Sequence, residues 1–540
     1  MISHLIVEIT VPTTCSENFR RMFKQCSLLY GVALRASPLG EIDAVRLCQH
    51  RLDHISNLEG IRVPCYDRTM IRPGILNLGL RNFHRVHNAV FIDDILHSPH
   101  SQEWGLISVG LTDTHRQAHL NLRDQDSLYT IVAKNPSGLS NIRVIGSILQ
   151  TLQVPSHTAN VIEYVADPTI KLVLLTMKEN NYYFNRHFTE LDLYHPRIQT
   201  DLKTAKSGSL PRTPIGILTE GLWRRFNSPQ RPPLTIICCD NIRRGGDVSR
   251  EMINLFSSLK YESAGDFGRW LSESVYFPNS ICDRICHTDS FPDYESLQQD
   301  FGVRDDALLT TEEFSEWVIE KNEFIHKPAN IESIPGIRLV SDITEAENLK
   351  LKLNYGTRLA VACIGSALEF KRFEDALADP SVRRFCHRIM DELIPGNLEY
   401  KEELVHRIGT RDLRYLLFRV IEDTSTKLKM NWQPAIEDSR GEMKYLPLTL
   451  AVWARLLAGE GAGPLARKSF PMDINLNLLE PLAQRLMRRI NLENADAFTS
   501  AVFGPIQRRS LINSEIVSAL KQMEISGVRG TLDLYNKIYT

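Results

Sequence analysis

Lysine, asparagine, tyrosine and arginine stand close together in KLKLNYGTR, residues 350–358, which runs directly into the apolar LAVACIGSAL. A lysine serves as a general acid or base near neutral pH only when burial or a neighbouring cation lowers its pKa. Lys350 has apolar sequence behind it and Arg358 eight positions on. Asn354 and Tyr355 add an amide and a phenol that hydrogen-bond a reacting oxygen, and Arg358 suits an anionic group such as a carboxylate. Lys350, Asn354 and Arg358 are spaced i, i+4, i+8, so an uninterrupted α-helix brings them to one face. Such a set supports proton transfer at a hydroxyl or carbonyl oxygen. The plain alternative is a solvated or interface lysine.

Two further stretches carry chemistry. In LTIICCDN, Asn241 follows an apolar run; an amide aimed at a developing alkoxide stabilises a transition state, while the ordinary role of such an asparagine is a loop or cap. In GILNLGLRNF, Gly79 ends another apolar run and is followed by Arg81, Asn82 and Phe83. A dinucleotide loop at this point uses small residues so that backbone amides approach the pyrophosphate. Gly79 meets that need, but Arg81 replaces the next small residue, and it either pairs with phosphate oxygens or fills their space. In GLTDTHR, Asp113 is placed to accept from an adenosine ribose or to cap the next helix. His115 and Arg116 nearby leave a 2′-phosphate open, so the cofactor expected is NAD or NADP.

The elements that must position these residues follow from the hydrophobic pattern. Val-, Ile- and Leu-rich runs at 74–80, 104–111, 143–148, 170–177, 234–240 and 336–343 alternate with helical stretches, which predicts parallel strands buried on both faces of a doubly wound α/β sheet. After residue 344 the pattern turns helical: LAVACIGSALEFKRFEDAL, SVRRFCHRIMDELI, KEELVHRIG, DLRYLLFRVIEDTSTKL, LPLTLAVWARLLAG and LLEPLAQRLMRRI all carry a 3.6-residue period. The expected organisation is a disordered extension at 1–44, a Rossmann-type dinucleotide-binding domain at 45–343 and an all-α domain at 344–540. That division puts KLKLNYGTR at the cleft between them, a common place for a ligand.

With 540 residues, two or three domains are expected. A formal net charge of −2 argues against a general hold on nucleic acid or an anionic membrane, and no apolar run reaches the roughly 18 to 20 residues of a membrane span. Ten irregularly spaced cysteines suggest reduced thiols and a cytoplasmic location. Cys282, Cys286 and His287 lack a second ligand pair, so no metal is expected. The oligomeric state is not legible.

Several segments, in order, carry a resemblance: YDRTMIRPGILNLGLRNFHRVH, DSLYTIV, VIGSI, CDNIRRGGDVSR, FPNSICDRI, LKLKLNYGTRLAVACIG and DPSVRRFCHRIMDELIP. Together, from about residue 45 onward, they resemble the long-chain polyol dehydrogenases, the family of mannitol 2-dehydrogenase, fructuronate reductase and tagaturonate reductase. The resemblance implies a Rossmann-type domain, a helical domain, and metal-free, NAD(P)-dependent interconversion of a secondary alcohol in a polyol or sugar acid with its ketone. It implies Lys350 as general acid/base, Asn241 on the reacting oxygen, Asp283 lining the site and Glu347 as a proton relay. The chain departs from the family pattern at Tyr355, where a second asparagine is expected, and at Arg358, where a histidine is expected. It also departs at Arg81, at MKENNYY and at HRIGTRD. Two readings follow, an active dehydrogenase or a catalytically degenerate relative with a binding or regulatory role.

Overall fold

Six parallel strands form the main sheet: β1 (Pro73–Leu78), β2 (Gly105–Gly110), β3 (Ile148–Gln153), β4 (Leu172–Leu175), β5 (Leu234–Cys238) and β6 (Val275–Tyr276). Their spatial order is β6-β5-β4-β1-β2-β3, the Rossmann arrangement in which the strand order reverses beside β1. The computed structural model describes residues 44–185, 190–204, 208–261, 264–286, 291–421, 424–439, 441–458 and 495–539. The expected extension, save its last residue, His287 and the helix expected at 478–490 lie outside the described residues.

Because successive strand residues face opposite sides, each strand feeds two cores. Leu76, Leu78, Ile236 and Cys238 pack under the helices Thr158–Ala166, Pro214–Phe226 and Gly245–Lys260. Ile75, Ile237 and Cys239 pack on the other face, against the helix Asn88–Leu96 and two smaller sheets. This double burial explains the unbroken apolar runs in the sequence. Local chemistry sets the helix starts: the Thr213 side chain accepts from the Gly216 amide ahead of Pro214, and Asp379 accepts from the Ser381 and Val382 amides ahead of Pro380.

Two strand expectations are corrected. The run at 143–148 is not one strand: it joins the end of Ser140–Ile145, which pairs antiparallel with Tyr129–Lys134, to the start of β3 in the main sheet. The break falls at Gly146, whose amide donates to Asp93 and whose carbonyl accepts from Arg68, while the Ser147 carbonyl already accepts from the Leu106 amide of β2. The run at 336–343 contributes Ile337–Val340 to a separate three-stranded sheet with Glu316–Glu320 and Ser280–Asp283. The strands Ser280–Asp283 and Leu309–Glu312 are short, and the periodicity did not show them.

From Thr344 onward the described residues are helical apart from turns and an isolated bridge. The helix Gly356–Ala367 is buried along its length from Gly356 to Ser366, so LAVACIGSAL is apolar all round because neighbours surround it. It shares one core with Pro380–Leu393 and Tyr445–Ala458. The helix expected across 412–428 is interrupted: Arg414 takes φ +48, and the Tyr415 carbonyl accepts from the Phe373 amide instead of continuing a helix.

At the end of β1, Gly79 has φ +127, and a Cβ there would lie 2.0 Å from the Thr176 carbonyl oxygen. Gly79→Ala therefore meets both a backbone penalty and a clash with immobile backbone. A loss of about 3 kcal/mol or more is expected, read as a lowered urea midpoint; an unchanged midpoint would show that the β1 and β4 ends separate freely.

Candidate active site

KLKLNYGTR does not form a regular α-helix. Asn348–Tyr355 is a π-helix, entered from the short helix Thr344–Glu347 and continued by Gly356–Ala367. Wider turns of this kind are frequent at functional sites. The uninterrupted helix face expected from the i, i+4, i+8 spacing is corrected accordingly. Lys350 and Asn354 turn together to Asp283, while Tyr355 turns to Asn241.

Asp283, at the end of its strand, is the centre of the first group. Its carboxylate accepts from the Lys350 ammonium, from Asn354 Nδ2 at 3.1 and 3.2 Å and from Arg407 Nη1 at 3.0 Å. Arg407 also grips Glu312 with Nε at 2.9 Å and Nη2 at 2.7 Å. All five of these side chains are buried. Burial alone would raise the Asp283 carboxyl, but Arg407 and Lys350 override it and hold that carboxyl well below the usual carboxylate range. Burial pushes Lys350 below an ordinary lysine; Asp283 opposes the shift and Arg358 adds to it.

Tyr355 is the centre of the second group. Asn241 Nδ2 donates to its phenol oxygen at 3.1 Å. Lys350 Nζ lies 5.5 Å and the Arg358 guanidinium carbon 4.4 Å from the centre of its ring. Burial raises the phenol to about 12, so it stays protonated at neutral pH. Arg358 donates from Nη1 to the Tyr415 hydroxyl at 3.1 Å, while its Nε and Nη2 are buried without a partner.

The remaining residues lie at the C-terminal ends of the parallel strands, where ligands of such sheets bind. Gly79 leads into Arg81, whose Nη1 lies 3.6 Å from Asp240 across the ends of β1 and β5, with about a third of its side chain exposed. Asp240 also accepts from the Met177 and Lys178 amides and the Tyr182 hydroxyl, and burial raises its carboxyl to about 6 against the pull of Arg81. Asn82 accepts from Arg85, and Phe83 stacks on His87. Asp113 is exposed after β2 and is not a helix cap, since Thr112 holds the position before this turn. His115 turns inward, its Nδ1 accepting from the Leu111 amide; burial, then Arg81, lowers it to about 4. Glu347 accepts from the Arg244 amide at 2.6 Å and lies 3.9 Å from Arg243, with no hydrogen bond to Lys350. Cys239 and Cys282 both lie against Asn88 Nδ2, and among the described residues no cluster suited to a metal ion occurs.

This arrangement has counterparts. The Mannitol dehydrogenase Rossmann domain matches residues 73–333. A mannitol 2-dehydrogenase of Phaeosphaeria nodorum is 30% identical over 501 residues, covering 89% of this chain and 84% of that protein. The chain belongs to the mannitol dehydrogenase family. A second family relative, the mannitol 2-dehydrogenase of Emericella nidulans, is 30% identical over 88% of this chain and 95% of its own length. The structure of Pseudomonas fluorescens mannitol 2-dehydrogenase in ternary complex with NAD and D-mannitol matches with a TM-score of 0.79 at 26% identity, covering 92% of this chain and all of that one. A substrate-free D-sorbitol dehydrogenase shares the fold, with a TM-score of 0.71 at 23% identity.

Within this family frame, the sequence reading located Lys350, Asn354, Tyr355, Arg358, Asn241 and Asp283, and the structure brings them together. It missed Arg407, Glu312, Tyr415 and Asp240. The first two come from a helix and a short strand remote from the motif, and nothing in their local pattern separates them from surface charges. Asp240 stands next to Asn241 in CDN, and the usual exposure of an acidic residue hid it.

Asp283→Asn removes the counter-charge that Lys350 and Arg407 share. Breaking a buried pair from one side costs about 3–5 kcal/mol. The folded carboxyl titrates below its unfolded value of about 3.9, so its stabilisation is complete above that pH and is lost as pH falls toward the folded value. Urea unfolding should show the full deficit near pH 7 and a shrinking one below about pH 4. A deficit independent of pH would rule out the ion-pair account.

Proposed function

We propose that the protein is an NAD(P)-dependent oxidoreductase that interconverts a secondary alcohol of a small polyol or sugar acid with the corresponding ketone, with Lys350 as general acid/base. The observation that carries this reading is the buried Lys350 ammonium, lowered by burial, against Asp283 and beside the Tyr355–Asn241 pair next to the strand ends. The P. fluorescens relative, in complex with NAD and D-mannitol, supports it.

The strand ends fit a dinucleotide. Gly79 presents no side chain, Arg81 is loosely held at 3.6 Å with about a third of its side chain exposed, and Asp113 is an exposed acid after β2. Asn82 and Phe83 open the short helix that follows. A bound nicotinamide would exchange a hydride with the carbinol carbon. With His115 turned inward and neutral, Asp113 favours a ribose hydroxyl over a 2′-phosphate, hence NAD over NADP.

Lys350 takes the hydroxyl proton in the oxidative direction and returns it in the reductive one. Asp283 holds the ammonium in place, and Arg358 and burial keep its pKa within reach. Tyr355 accepts from Asn241 and so keeps its own O–H to donate to the substrate oxygen; the second N–H of Asn241 does the same. Asn354 anchors Asp283. Glu347 fixes the loop after Asn241 through the Arg244 amide, a positioning part; any relay from Lys350 to it needs an intervening water.

Lys350→Ala should lower kcat by about 10²- to 10⁴-fold with little change in cofactor affinity, in a spectrophotometric assay with hexitols and hexonates. The oxidative rate of the unaltered protein should rise with pH, with a midpoint below the roughly 10.4 of a free lysine. Retained turnover in Lys350→Ala would end this assignment.

Beside the departures at Tyr355 and Arg358, a non-catalytic relative is favoured by Arg81, which leans across the strand ends to Asp240. Fluorescence titration with NADH and NADPH separates the readings. The expected result is binding by the unaltered protein, tighter for NADH, and weakened about tenfold in Arg81→Gly, the loss of one charge-assisted contact. Binding of either cofactor only after Arg81→Gly would favour the degenerate relative.

A further inference from the structure

Arg358 is only 5% exposed, yet among the described residues it has no direct counter-ion. Its direct partners are neutral: the Tyr415 hydroxyl, which accepts from Nη1 at 3.1 Å, and the face of the Tyr355 ring at 4.4 Å. Among the described residues no carboxylate forms an ion pair with it. Asp283, whose charge reaches Arg358, is already shared by Lys350, Asn354 and Arg407. Tyr415, Tyr355 and Asp283 hold the guanidinium in its charged form despite burial, yet the N–H groups that meet no partner still carry a desolvation cost.

The two unpartnered nitrogens are Nε and Nη2. These belong to one edge of the guanidinium plane, and their N–H bonds run parallel, the geometry that matches the two oxygens of a carboxylate. The plane itself cannot turn: Tyr355 stacks against its face and Tyr415 holds the opposite nitrogen. Tyr415 is in turn fixed by stacking on Phe373 at 4.7 Å and by its backbone bond from Phe373.

We propose that the substrate carries a carboxylate that docks on the Nε–Nη2 edge of Arg358, so that the protein acts on a short polyhydroxy acid and its keto acid in preference to a neutral polyol. This rests on the reading of Lys350 as the acid/base for the placement of the other end. Lys350 Nζ lies 5.5 Å from the centre of the same ring that Arg358 covers. A hydroxyl at Lys350 and a carboxylate at Arg358 therefore belong to one small molecule. Arg358 is then a specificity residue: it selects the substrate by charge while Lys350 handles the proton.

The test is calorimetric titration of the full chain with pairs of pentonates and pentitols and of hexonates and hexitols, D-gluconate against D-glucitol among them. Each pair differs only in a carboxylate replacing a hydroxymethyl group. At least one acid should bind roughly 10- to 100-fold more tightly than its neutral partner, the range for charge-assisted hydrogen bonds. Arg358→Gln should erase the difference, and Arg358→Lys should restore part of it. Because Arg358→Gln removes unpartnered buried donors together with the Tyr415 bond, its urea midpoint should stay close to that of the unaltered protein. Equal binding within every pair, binding of no acid, or a preference that survives Arg358→Gln would overturn the proposal; the buried edge would then be met by water. These measurements need no turnover. Lys350→Ala should keep the acid preference, so a failure of the redox assignment and a failure of this one give different results.

Discussion

The site depends on one carboxylate. Asp283 sits at the end of a short strand in a small sheet, yet the groups that converge on it come from the π-helix and from the helix Leu398–Ile408. Three buried donors, two of them cationic, would repel or lie idle without it. With it, they form a closed set in which Arg407 also spans to Glu312. A buried charge is tolerable only when paired and hydrogen-bonded, and Asp283 meets that condition for Lys350 and Arg407 together. The position of Lys350 is therefore decided jointly by sheet and helices.

The scaffold around this carboxylate is stiff for separate reasons on its two sides. On one side, parallel strands buried on both faces end at a common edge, so Gly79, Asp113 and Asn241 are delivered to one rim by the sheet register alone. On the other, Gly356–Ala367 is enclosed on all sides and gives Arg358 no room to leave. Tyr355 bridges the two, bonded to Asn241 at the strand end and with Lys350 and Arg358 both at its ring.

Much of this was legible in the sequence, for physical reasons. Strands buried on both faces must be apolar throughout, so β1, β2, β4 and β5 announced themselves, and a Val-Ile-Leu run cannot hide. Lys350 and Arg358 stood out because cations beside a buried helix need an explanation. The rest failed where local pattern carries no record of long-range pairing. Ser280–Asp283 and Leu309–Glu312 are too short for a period to show, and the role of Arg407 is set by carboxylates 95 and 124 positions away. The run at 143–148 misled because one apolar stretch served two sheets, and the bonds of Gly146 to Asp93 and Arg68 divide it.

The π-helix has one more consequence. Each residue of an α-helix advances the chain by about 100° around the axis, and a wider turn amounts to surplus length held inside an otherwise regular helix. Removing a single residue between Asn348 and Tyr355 would let the segment relax toward α geometry, leaving the flanking helices in register but re-aiming the side chains within it, Lys350 among them. Lys350 and Arg358 would then stop sharing a ring, although every side chain of the site remained in the chain. The site thus depends along 348–355 on a length as much as on a set of residues, and a one-residue gap in a relative would mark a change of geometry that comparison of side chains alone would pass over.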